Sequence, residues 1–242
     1  MQRLSPRDRQ KVRSIQLDET FNAVSRPESR VAGLIPLCVE NPRLRVERHV
    51  ALLENILPLS SDHLDQTNER QTAMYDNIGP EELLVALWMW IDDAIQLPGK
   101  GMPLGSFKLI ISSTGPEMQQ AWSVVKTAAM FQEALGEWAE YHGKNPSAPM
   151  RADINWHWEL WPLQLHIPPH FAQTIRDIAL GVSPLVELSE QDGVLWDAHG
   201  FFEAHRDWTE ADWREGWRSH ALDHYVKSSF YADLRSRYRI VS

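Results

Sequence analysis

Only one cysteine, Cys38, occurs in 242 residues. An intramolecular disulfide is therefore excluded, and so is a zinc centre built on paired thiolates. Cys38 lies in an apolar run, where a thiol is usually inert packing. Long hydrophobic runs are missing too. The most apolar stretch, Leu83 to Ile91, falls well short of the roughly 20 residues that a membrane span requires. The first residues, Met1-Gln2-Arg3-Leu4-Ser5-Pro6-Arg7, carry no apolar core of a secretory signal. These absences lead us to expect a cytoplasmic protein with no membrane association. Familiar catalytic spacings are also lacking: there is no Gly-x-Ser-x-Gly elbow. Gly99-Lys100-Gly101 lacks the glycine spacing of a phosphate loop, and no cofactor is expected.

What the chain does have is tryptophan and an uneven charge. Eleven tryptophans are present; each brings a large apolar area and one N–H that needs a partner when buried. They furnish either a core or an exposed recognition patch. The net charge is −9, yet residues 1–50 carry +4, residues 51–100 carry −7 and residues 151–200 carry −5. An acidic body argues against broad binding to nucleic acid, which needs a continuous basic surface. The basic N-terminal segment, with Arg7 and Lys11, remains available to an acidic partner, protein or nucleic acid.

Periodicity predicts an α+β fold, predominantly α-helical, with a small β-sheet or hairpin in the C-terminal part. A helix is expected over 6–24, with Val12, Ile15, Phe21 and Val24 as its inner stripe, stopped by Pro27. Residues 31–39 read as a buried loop or short strand because Gly33 and Pro36 interrupt them. A second helix is expected after Asn41-Pro42, with Leu44, Val46, Val50, Leu53 and Leu57 inward. Gly79-Pro80-Glu81-Glu82 is a strong helix start, since proline and acids suit a first turn. Phe107 to Ile111 reads as a strand. Gly115-Pro116-Glu117 opens a long helix to about His142. The turn-rich run 144–149 then separates a helical part, 1–143, from a mixed part, 153–242. In the latter, Ile154, Trp156, Trp158 and Leu160 alternate with polar residues at strand spacing. A helix follows Pro168-Pro169 with Gly181 as its C-cap. Residues 185–188 and 194–196 read as a hairpin. Thr209 and Asp212 form a capping-box pattern that opens a terminal helix to about Arg235.

Four clusters could carry chemistry or binding. His199, His205, His220 and His224 could hold a divalent metal if three of them converged. His220 and His224 share a helix face with Trp213 and Trp217, so packing explains that pair as well as ligation does. Arg218 and His224 form an Arg-x5-His spacing used by small helical ribonucleases. Six positions along one helix set those side chains about 120° apart, and Arg43 and His49 repeat the spacing. Asp92-Asp93 point about 100° apart, which suits no shared cation. The remaining cluster is Trp156, Trp158 and Trp161, a docking face if it lies at a sheet edge. The expectation is a protein-binding adaptor, inhibitor, immunity factor or assembly subunit. Its candidate contacts are Trp156, Trp158, Trp161, Arg7 and Lys11. A nuclease-type enzyme, or a nucleic-acid-binding subunit with salt-sensitive contacts through Arg7, Arg9, Lys11 and Arg13, is the alternative.

Overall fold

The computed structural model describes residues 5–19, 31–52, 80–112, 116–144, 168–189 and 193–223. Their organising feature is a four-stranded, fully parallel sheet of β1 (Ser14–Glu19), β2 (Arg45–Ala51), β3 (Phe107–Ser112) and β4 (Val186–Leu188). The strands lie in chain order β1-β2-β3-β4. This overturns the α+β expectation of a small C-terminal sheet, because β1, β2 and β3 all precede α4. The arrangement is α/β.

The expected helix over 6–24 is one turn, α1 (Pro6–Arg9), followed by β1. The helix expected after Asn41-Pro42 is β2. Registration explains both. Ile15 and Leu17 line up with Val46 and Arg48, which line up with Phe107 and Leu109. The next rank joins Glu19, Val50 and Ile111, and Val186 and Leu188 extend the same face. Residues i and i+2 share a face of a strand, so this face is the buried one. The opposite face carries Gln16, Asp18, Glu47, His49, Lys108 and Glu187, all exposed or half-buried.

The segment 31–39 is neither loop nor strand. A 3-10 turn (Ala32–Leu34) runs into α2 (Ile35–Glu40), whose Pro36 sits in the first turn, where its missing N–H has no intrahelical role. Within α2, Cys38 is fully buried, and that burial raises its thiol pKa. The strong helix start forms as expected in α3 (Pro80–Gln96), which buries Leu83, Leu84, Leu87 and Ile91. The long helix is α4 (Pro116–Tyr141), with Trp122, Val125, Ala129 and Trp138 buried.

α5 (Phe171–Ala179) buries Phe171, Ile175 and Ile178. Its end is closed by Gly181 at φ 69°, with Val182 N–H donating to Asp177 O. The expected hairpin does not form: β4 pairs parallel to β3, and residues 193–197 are not in a strand. α6 (Ala198–His205) and α7 (Glu210–Asp223) complete the described chain. The Thr209 capping box is present, with Thr209 N–H donating to Asp212 Oδ2 at 2.8 Å and Asp212 N–H to Thr209 Oγ1 at 3.2 Å.

In layers, α3 and α5 pack on the sheet, α4 packs on both, and α6 and α7 close the far side of α4. Buried side chains from Val31 to Trp217 form a single hydrophobic cluster. Six of the eleven tryptophans belong to it: Trp88, Trp90, Trp122, Trp138, Trp213 and Trp217. The domain boundary, the tryptophan strand and the extension of the last helix beyond Asp223 lie outside the described residues.

Candidate interaction surface

At the amino end of the sheet the chain enters β1 and β2 side by side. Arg45 N–H donates to Arg13 O at 2.9 Å, so the two lead-ins are zipped before the strands begin. Asn41, which is buried, bolts them together. Its Nδ2 donates to Val12 O (2.7 Å) and Arg9 O (3.1 Å), and its Oδ1 accepts from Arg43 N–H (3.2 Å). A buried amide with its groups satisfied fixes one local geometry.

Arg7, Lys11, Arg13, Arg43 and Arg45 are all exposed around this bolt. Lys11 pairs with Asp8 at 2.9 Å, and Arg9 with Glu40 at 3.1 Å. The guanidinium of Arg13 donates to Gln10 O, and that of Arg45 to Pro42 O and Leu44 O. Among the described residues, Arg7, Arg13, Arg43 and Arg45 have no carboxylate partner. Of the residues singled out in the sequence, Arg7 and Lys11 are thus brought together here. Arg13 was named with them as a nucleic-acid contact; Arg43 and Arg45 were missed as contacts, although a clustering of arginine just ahead of a strand is the signal that finds them. Trp156, Trp158 and Trp161 lie outside the described residues.

The histidines are distributed differently. His199, at the start of α6, approaches Glu137 of α4 with Nδ1 2.8 Å from Oε2. That hydrogen bond, reinforced by the charge of Glu137, raises the His199 pKa. His205 donates from Nδ1 to Phe201 O at 2.8 Å, and His220 from Nδ1 to Gly216 O at 2.9 Å. A carbonyl can only accept, so both rings carry the Nδ1 proton. Their faces are taken up by aromatics. His205 lies 4.0 Å from Trp208 and 4.3 Å from Phe201, while His220 lies 5.2 Å from Phe131. Among the described residues no three His, Cys, Asp or Glu side chains come together as a metal set. His224 lies outside them.

Asp92 accepts from Gln96 Nε2, and Asp93 pairs with Lys100 at 3.2 Å. A polar cleft of about 260 Å³ beside β4 is lined by Lys108, Ser183, Glu187 and Ser189, and Lys108 and Glu187 pair across it at 2.5 Å. No helix among the described residues is long and apolar enough to cross a membrane. Comparison with protein-family models, with curated proteins and with solved structures finds no match.

Proposed function

We propose that this protein is a cytosolic binding module that docks another protein, serving as an adaptor, inhibitor, immunity factor or assembly subunit. The observation that carries the reading is the rim of exposed guanidinium groups at Arg7, Arg13, Arg43 and Arg45. They have no carboxylate partner among the described residues, on a chain of net charge −9. Such a rim steers encounter with an acidic surface and fixes its orientation, and it affects on-rate more than affinity. Nucleic acid is the competing partner. Its long run of phosphates would meet the repulsion of a chain whose net charge is −9.

Affinity capture from lysate, before and after nuclease digestion, separates the two readings. The bait is used as wild type and as the triple variant Arg13→Glu, Arg43→Glu, Arg45→Glu. The expected result is a protein that survives digestion, is lost with the triple variant, and rebinds the purified wild type in a binary assay. Capture that vanishes on digestion moves the role to nucleic acid, and capture indifferent to the triple variant removes the basis of the reading.

A further inference from the structure

The same end of the sheet presents aliphatic side chains among its arginines. Leu104 is 82% exposed and Val39 is 59% exposed. Leu104 stands at the tip of a closed turn. Ser106 N–H donates to Pro103 O at 3.0 Å, and Gly105 adopts φ 72°, the positive φ of a type II turn. The tip is held in place on both sides. Val46 N–H donates to Ser106 O at 2.8 Å, tying the turn to the start of β2. A Cβ on Gly101, at φ 99°, would stand 3.8 Å from Ile35 Cγ2, so the same loop lies against α2. Val39 is on α2, and Arg43 and Arg45 follow it into β2. An isolated exposed leucine needs no explanation. A rigidly held one, on a loop bonded to the arginine-bearing lead-in, forms a surface that is both cationic and apolar.

We infer that this surface receives an extended acidic peptide bearing aliphatic side chains, a deepening that rests on the protein-docking reading above. Its carboxylates meet Arg13, Arg43 and Arg45, and its aliphatic groups cover Leu104 and Val39. Charge and size select this occupant. The basic excess is confined to residues 1–50, whereas residues 51–100 carry −7. A membrane surface or a polyphosphate is anionic over a long extent and is repelled by a chain of net charge −9, a repulsion screened over about 8 Å at physiological ionic strength. A short peptide presents its carboxylates over a few residues only. A second copy of the chain would bring its own net −9 to the contact.

The test is fluorescence anisotropy of a short labelled peptide of glutamate and leucine titrated with the intact chain at two salt concentrations. Binding is expected to weaken with salt. Arg43→Glu with Arg45→Glu is expected to weaken it about tenfold or more, equivalent to about 1.4 kcal/mol. Leu104→Ser is expected to weaken it about fivefold or more while leaving the salt dependence unchanged, because it removes only apolar burial. Both sets of positions are exposed, so thermal melts of the variants should overlay the wild type. Failure of the peptide to bind overturns the inference. Equal binding of a leucine-free polyglutamate, indifferent to Leu104→Ser, overturns it too, but leaves the docking reading standing. Tighter binding of oligodeoxythymidylate or of phosphatidylserine vesicles, lost in Arg43→Glu with Arg45→Glu, overturns both. A dimer in sedimentation, abolished by the same pair, assigns the surface to a second copy and overturns the peptide as its occupant.

Discussion

Arg45 and Arg48 sit three residues apart on one strand, and the sheet uses them in opposite ways. An odd separation puts the two side chains on opposite faces. Arg45 is exposed at the amino rim, where its guanidinium donates to the backbone carbonyls of Pro42 and Leu44. Arg48 is 1% exposed, inside the sheet–helix core. It meets Glu19 of the neighbouring strand at 3.1 Å, and its guanidinium lies 4.3 Å from the centroid of the Trp90 ring on α3. Removing a charge from water is costly, and only a close counter-charge with good hydrogen bonds offsets it. Interior arginine is therefore committed to holding β1, β2 and α3 in one arrangement. Rim arginine, at Arg13 and Arg45, donates to backbone carbonyls and has no carboxylate partner among the described residues, so its charge is not neutralised there.

The sharpest way to break this contrast is to remove one interior charge. Glu19→Ala removes the Glu19 carboxylate from the buried Arg48, and a loss of about 3–5 kcal/mol in urea denaturation is expected. Arg45→Ala at the rim is expected to change stability by no more than about 0.5 kcal/mol. Comparable losses at the two positions would show that burial does not separate them.

That same buried arginine explains what the sequence hid. In β2 the inward residues are Val46, Arg48 and Val50, and an arginine in the middle position disguises the alternation. Val46 and Val50, four apart, then look like one face of a helix. Around β1, the pair Val12 and Ile15 fits a helical spacing while Ile15 and Leu17 fit a strand. Only pairing with β2, a long-range fact, decides between them. Elements whose evidence is local were legible: the Pro80 and Pro116 starts, the strand at Phe107 and the reciprocal bonds of Thr209 and Asp212. β4, three residues long, acquires its strand character from β3 rather than from its own composition. The rim was legible in part, since Arg7 and Lys11 stood out as charge. Arg13 stood out with them, whereas Arg43, Arg45 and Leu104 join it only through the bonds that bring separate loops to one end of the sheet.

Asn41 sharpens the comparison from the other side, because it is interior chemistry that serves the rim. Asn41→Ala removes the hydrogen bonds to Arg9 O, Val12 O and Arg43 N–H together. A loss of about 1–3 kcal/mol is expected, the range for leaving buried polar groups without a partner. Faster amide hydrogen exchange should accompany it at Arg45, whose N–H closes the lead-in. A stability change with exchange at Arg45 unaltered would mean that the two lead-ins hold together without this side chain.

The smallest effect is expected at His199, where an exposed charge does have a partner. Glu137 accepts its Nδ1 proton, and Glu203 and Asp197 add weaker attraction, so the imidazolium is favoured and its pKa lies above the ordinary 6.5. A raised folded-state value fixes the sign. The contact contributes fully below the unfolded value of 6.5 and is lost as pH rises through the higher folded one. Proton NMR titration should place the His199 midpoint above that of a free histidine, and Glu137→Gln should bring it back down. Because the side chain is 71% exposed, solvent screens the pair, and little change in unfolding free energy should accompany the shift. A His199 midpoint that ignores Glu137→Gln would show that the pair is not formed in solution.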